Sequence, residues 1–158
     1  MNSRYEDLRI ELSKLQERNE LAKRVGRDYF EPGKMEYLEQ YDSCINDATG
    51  EIMMRFPARG TRYEDRTERI EGVRIGDVIQ LTRDRKNEYN SNNFEILTSK
   101  GKSLGNMPAE LCNVIAPLYD KDELRIDKAV VSFVDPISHR NRHAKQAVLF
   151  VELSCKLT

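Results

Sequence analysis

The sequence predicts a mainly β domain with helical additions, an α+β chain whose short strands form a barrel or a sandwich, on three observations. After residue 50 the chain breaks into short stretches in which apolar and polar residues alternate, the two-residue period of a half-buried strand. Between them lie clusters of turn formers: Asp47-Ala48-Thr49-Gly50, Asn87 to Asn93 and Lys100-Gly101-Lys102. Helical spacing without a competing strand pattern is confined to the N-terminus and the stretch after Pro108, so the strand–helix rhythm of a nucleotide-binding sheet is missing.

Ser3 and Glu6 fit a capping box, in which each side chain satisfies a free amide of the first turn. Apolar residues follow at Tyr5, Leu8, Leu12, Leu15 and Ala22 with Asn19 interrupting, a heptad seam, and Gly26 suits the stop. Arg4 to Val25 is therefore read as one amphipathic helix, packed on its own domain or paired with a second chain. Asp28 to Lys34, with Pro32-Gly33, reads as a linker, dividing the chain into a helix and linker over 1–33 and a β domain over 34–158. Met35 to Asn46 carries both helical and strand spacing. A hairpin around the turn at 47–50 is the preferred reading, with Ile52, Met54 and Phe56 on one face and Pro57 marking a sheet edge or a strand end. Strands are next expected at Asp77 to Arg83, within a run containing Ile75, Val78, Ile79 and Leu81, at Phe94 to Thr98 and at Ser103 to Met107. Pro108 opens a helix with Leu111, Val114, Ile115 and Leu118 on one face. Arg125 to Asp135 is β-branched and alternates at Ile126, Ala129 or Val130, Val131 and Phe133, Pro136 to Lys145 is a polar loop, and Gln146 to Leu157 is a final strand.

The net charge is −1, so a general nucleic-acid coat that relies on releasing many counterions is excluded, and any such binding must be local. No apolar run approaches the roughly 20 residues that span a bilayer, and the N-terminus MNSRYEDLRIELSK has no signal-peptide pattern. Cys44, Cys112 and Cys155 are odd in number and form no C-x-x-C pair. These features predict a reduced cytoplasmic protein with no membrane contact, no metal and no cofactor. G-x-S-x-G, Walker and H-E-x-x-H motifs are all missing, which favours a binding protein over an enzyme.

One stretch is more specific. GDVIQLTRDRKNEYNSNNFEILTSKGKSLGNMPAEL, from Gly76 to Leu111, resembles the core of the HIRAN domain family. The likeness runs through Gly76-Asp77, Leu81-Thr82-Arg83-Asp84, the segment Asn87 to Phe94, Gly101, and Gly105-Asn106-Met107-Pro108. Upstream, Gly60-Thr61-Arg62-Tyr63 is similar to the family's first strand, so the likeness extends from about Arg59 to Leu157. The resemblance implies a modified oligonucleotide-binding-type barrel with an inserted helix. It also implies capture of single-stranded DNA at a free 3′ end, as in members that precede Swi/Snf-type translocases, in a repair or mobile-element setting. Carried over by position, Arg62 meets backbone phosphate, Tyr63 stacks on a terminal base and Tyr89 lies near the same pocket. Asn90, with Asn92 close by, stands where DNA-binding members place an aspartate beside the terminal hydroxyl. Asn106 replaces a Tyr or His, and Ala109 replaces a lysine that supports backbone binding.

The chemistry is sensible apart from the family. An aromatic ring stacks on any base, and an arginine fork anchors phosphate, so two tyrosines and one arginine hold a strand tip without a basic surface. An asparagine amide both donates to and accepts from a hydroxyl, without the charge-assisted strength of a carboxylate. The competing reading makes Tyr63 and Tyr89 core or turn residues, and Asn87, Asn90 and Asn92 local caps for backbone amides. Lys102 and the loop residues Arg140, Arg142 and Lys145, beside His139 and His143, are further candidates for phosphate contacts. The alternative function is a non-catalytic adaptor that recruits a protein, or a second copy, through the Leu8, Leu12 and Leu15 face of the N-terminal helix.

Overall fold

The computed structural model describes residues 5–15, 17, 42–46, 48–136 and 147–158. The Ser3 cap, Asn19, Ala22, Gly26, the linker at 28–34 and the loop with His139, Arg140, Arg142, His143 and Lys145 lie outside the described residues.

The fold is mostly β with a few helices and two antiparallel sheets. Helix α1 (residues 5–15) leads to β1 (Asp42–Ile45) and β2 (Glu51–Pro57). A short α2 (Arg66–Ile70) precedes the meander β3 (Ile79–Asp84), β4 (Asn93–Thr98) and β5 (Ser103–Asn106). Helix α3 (Ala109–Asp120) then connects to the long strands β6 (Leu124–Asp135) and β7 (Val148–Leu157). One sheet has the order β1-β2-β7-β6 and the other β3-β4-β5.

Alternation builds the core. Ile52, Met54 and Phe56 of β2 are at most 2% exposed, and the inward residues of β7 (Val151, Leu153, Cys155 and Leu157) join them in one cluster. Phe94 and Ile96 of β4, Leu104 of β5, and Leu111 and Ile115 of α3 complete it from the other side. Pro57 is the end of β2, not an edge marker, because β2 lies between β1 and β7. The expected hairpin is present, with Ile45 opposite Ile52 and the turn closed by Gly50 N–H to Asn46 O at 2.7 Å. The sheets meet edge to edge at two isolated bridges, Val78 with Val130 and Arg59 with Asn106.

The partner-helix expectation is corrected here. Leu8, Leu12 and Leu15 are only 3–5% exposed and belong to the same core cluster as the strands. Tyr5 Oη donates to Gly50 O at 3.4 Å, tying α1 to the β1–β2 turn. Gly50 has φ +75, and a Cβ there would run into the Tyr5 hydroxyl, so the close approach needs glycine. The seam is apolar because it faces this chain's own sheet. Leu12→Ala is expected to cost about 2–5 kcal/mol in urea unfolding with no change in elution mass. A drop in mass with unchanged stability would restore the partner helix.

Other expectations also shift. Val78, expected within the strand Asp77 to Arg83, is 58% exposed, and Ile75, in the run just before that strand, is 64% exposed. Ile75 lies in a turn held by Arg74 N–H to Asp77 Oδ2 at 2.9 Å and Val78 in the isolated bridge to Val130, so strand alternation starts only at Ile79. Gly60 to Tyr63 is a turn, not a strand, because β2 stops at Pro57 and only Arg59 pairs further on. Phe133 is 40% exposed although Val131, two residues earlier, is buried. Val131 pairs with Val151 and Phe133 with Phe150, so a bulge at Ser132 turns the ring to the opposite face.

Candidate functional site

The turn after β2 is held from several sides. Arg59 and Asn106 exchange two backbone hydrogen bonds, 2.8 and 2.9 Å, across the gap between the sheets. Thr61, 1% exposed, donates its hydroxyl to Ala147 O at 2.8 Å, and Thr67 Oγ1 donates to Thr61 O at 2.8 Å. Arg66, 6% exposed, satisfies its buried guanidinium with Gly60 O and Ser103 Oγ, both at 3.0 Å, and with Glu64 Oε2 at 3.2 Å. Glu64 and Asp65 follow with φ 55 and 61, two left-handed residues that fold the chain back into α2. At the crest, Arg62 Nη2 donates to Tyr63 Oη at 2.7 Å and its Cζ stands 4.9 Å from the ring centroid. Tyr63 is 53% exposed.

A second wall is the asparagine loop between β3 and β4. Asn87 Oδ1 accepts the backbone N–H groups of Tyr89 and Asn90, both at 3.0 Å, while its Nδ2 donates to Asp84 Oδ2 at 3.1 Å. Asn90 Oδ1 accepts Asn92 N–H at 3.1 Å. The Nδ2 groups of Asn90 and Asn92 both donate to Asn113 Oδ1 on α3 at 3.1 Å. Arg83 clamps the loop from below: Nη1 donates to Ser91 O at 3.1 Å and to Asn93 O at 2.8 Å. Its Nε and Nη2 grip Asp120 at 2.9 Å each, and its guanidinium lies 5.4 Å from the Phe94 ring centroid. The hydrogen bond from Arg83, aided by Arg85, holds the Asp120 carboxyl down at about 2. Tyr89, at the loop tip, is 89% exposed.

Asn106 joins the two walls. Its Oδ1 accepts Asn93 Nδ2 at 3.0 Å, and that Asn93 amide, 5% exposed, also donates to Asp84 Oδ2 at 3.2 Å. A Cβ added at Gly60 would stand 3.4 Å from Asn106 Nδ2 and 3.7 Å from Tyr63 Cδ2, so turn, ring and amide converge on that glycine.

The HIRAN domain sequence pattern matches residues 52–152. The chain belongs to the HIRAN domain family. Among solved structures, a protein from Lactobacillus plantarum is 18% identical with a TM-score of 0.51, over 73% of this chain and 96% of its own. That likeness concerns the fold. The crystal structure of the HIRAN domain of human HLTF is 22% identical with a TM-score of 0.48, over 68% and 81% of the two chains. The HLTF HIRAN domain in its DNA-bound conformation is 21% identical at 0.45, over 73% and 80%. No curated protein matches this sequence.

In this HIRAN domain, the residues singled out from the sequence fall into groups. Arg62, Tyr63 and Asn106 come together around Gly60, and Tyr89, Asn90 and Asn92 share the loop that Asn93 links to Asn106. Lys102 is exposed but sits at the far end of β5 from Asn106, roughly 13 Å along the strand. Arg140, Arg142 and Lys145 lie outside the described residues. Sequence reasoning missed Asn93, Asn113 and Arg83, whose contribution depends on contacts between distant segments. It also placed Phe133 in the same alternation as Val131, whereas the ring lies on the opposite face and packs edge-on to Phe150 at 6.0 Å, level with Pro57 across β7. The one available signal was asparagine density: Asn87, Asn90, Asn92, Asn93 and Asn106 all fall within twenty residues of sequence.

No three His, Cys, Asp or Glu side chains cluster as a metal site among the described residues. Burial pushes the Cys112 thiol up to about 11 and the Cys155 thiol up to about 12, so both stay protonated and act as packing groups. No described helix is long and apolar enough to cross a membrane.

Proposed function

We propose that this HIRAN domain is a nucleic-acid-binding module that captures single-stranded DNA at a free 3′ end. The observation that carries the reading is the pair of exposed tyrosines, Tyr63 and Tyr89, standing on two firmly braced segments joined through Asn106. Most tyrosines hide part of the ring. Here 53% and 89% of the two residues face solvent, which suits stacking on bases. Arg62, already over the Tyr63 ring, supplies the phosphate anchor.

The remaining roles follow from donors and acceptors. Asn90 Oδ1 uses one lone pair for Asn92 N–H and keeps a second, which accepts the proton of a terminal 3′-hydroxyl. A 3′-phosphate at neutral pH brings only acceptors to that point and is disfavoured. Asn92 shapes the same wall, and Asn106 offers its Nδ2 beside Tyr63. Lys102, Arg140, Arg142 and Lys145 serve phosphates farther along the strand, and Phe133 offers a third exposed ring. The two inter-sheet bridges fit a modified oligonucleotide-binding-type barrel, with the helix and linker over 1–33 added to a unit over 34–158. The chemistry is binding, and no reaction step is assigned.

Fluorescence anisotropy with short oligonucleotides that differ only at the 3′ terminus tests the reading. Hydroxyl-ended strands should bind tighter than phosphate-ended ones. Tyr63→Ala or Tyr89→Ala should each weaken binding by about 1–3 kcal/mol with the fold intact. Equal affinity for the two ends removes end recognition, and no binding below about 100 micromolar removes the DNA reading altogether.

A further inference from the structure

The asparagine loop is held by a residue outside it. Asn113 stands one helical turn after Ala109 on α3 and meets the loop through two side-chain amides. The orientation of these amides follows from the backbone. Asn92 N–H is a donor only, so the Asn90 atom it meets at 3.1 Å must be Oδ1, which leaves Nδ2 for Asn113. Asn113 must then present oxygen, and that oxygen takes both Asn90 and Asn92, filling its two lone pairs.

The loop is thereby gripped in two different ways. Arg83 takes the backbone carbonyls of Ser91 and Asn93, and Asn113 takes the side-chain amides of Asn90 and Asn92. Arg83 sets where the backbone runs. Asn92 N–H holds the oxygen of the Asn90 amide and Asn113 pins its nitrogen, so the two together lock its rotation about the last bond and which atom faces a bound strand end. Without Asn113, the Asn92 N–H bond alone holds that amide, and the Nδ2 end has no partner to keep it turned.

We infer that Asn113 is a positioning residue that sets the acceptor character of Asn90 and with it the preference for a 3′-hydroxyl over a 3′-phosphate. This rests on the reading that Asn90 meets the strand end. The partner chemistry is then a hydroxyl donor at the terminus, and the selecting group is an amide oxygen held from the neighbouring helix.

The test compares the wild type, Asn113→Ala and Asn113→Asp against one labelled oligonucleotide carrying either a 3′-hydroxyl or a 3′-phosphate. The wild type should favour the hydroxyl by about tenfold, the scale of one neutral hydrogen bond. Asn113→Ala should bring the ratio close to one, with the hydroxyl-ended strand losing more affinity than the phosphate-ended one. Asn113→Asp, whose carboxylate still accepts both amides, should restore the ratio. A general loss of fold lowers both affinities together and leaves the ratio alone, so that outcome, or an unchanged ratio in Asn113→Ala, overturns the inference. If Asn113→Ala does not fold, Asn113→Gln moves the oxygen by one methylene and should collapse the ratio in the same way. A wild type without any preference would sink end recognition at Asn90 and the inference with it. A selective wild type with a selective Asn113→Ala sinks the inference alone.

Discussion

Gly105→Ala should destabilise the chain by about 2–4 kcal/mol and take oligonucleotide binding with it. A Cβ at this position would lie 2.8 Å from Arg59 O and 3.3 Å from Ala58 Cβ, and the backbone holds φ at +153. The nearest atom is main chain, so no side chain can swing aside. Arg59 O also accepts Asn106 N–H at 2.9 Å, half of the bridge between the two sheets. Room for the methyl therefore comes only by parting that bridge. Arg59 leads directly into the turn that carries Arg62 and Tyr63, and Asn106 follows Gly105 in sequence, so both sides of the proposed site move apart. Urea unfolding and anisotropy on the same preparation check the prediction. An alanine variant with an unchanged midpoint and full binding would show that the sheets do not approach so closely.

Arg83→Ala is expected to cost about 2–4 kcal/mol, because it removes four charge-assisted donors at once and leaves their acceptors behind. Its side chain is 9% exposed, whereas that of Asp120 is 30% exposed and can rehydrate, which keeps the cost below that of a fully buried pair. The loss also has a pH signature. Asp120 is held near 2 in the folded chain, chiefly by Arg83, against about 3.9 in the unfolded one. A depressed carboxyl contributes stability that is complete above the unfolded value and disappears as pH falls through the folded value. The wild type should therefore lose this contribution between about pH 4 and pH 2, and Arg83→Ala should lack that part of the acid loss. Thermal melts of the two chains across that range decide it. Parallel acid profiles would mean that the clamp contributes nothing in solution. Binding is expected to weaken as well, since the loop bearing Tyr89 loses the hold on Ser91 O and Asn93 O.

Much of the fold was legible because burial imposes a period that sequence displays directly. Ile52, Met54 and Phe56 alternate and are buried; so do Phe94 and Ile96, and Leu111 and Ile115 share one helical face. The reading failed where a local irregularity breaks the period. The bulge at Ser132 exposes Phe133, and the short α2 is too brief to show a repeat. The site was half legible. Arg62, Tyr63, Tyr89 and Asn106 were visible as residue types in a family order, while Arg83, Asn93 and Asn113 looked like ordinary polar residues. Their contribution comes from partners up to 37 positions away, as with Arg83 and Asp120.

By itself, the sequence determined the class of structure, the order of most strands and the residue types available to a ligand. It did so because hydrophobic period, turn chemistry and composition act over a few neighbouring residues. Only the tertiary structure decided that the N-terminal leucine seam faces inward, that the two tyrosines stand exposed, and that one asparagine on α3 holds two others in place. Those outcomes depend on which distant surfaces meet, and a side chain's hydrogen-bond direction is set by the partner it finds across the fold.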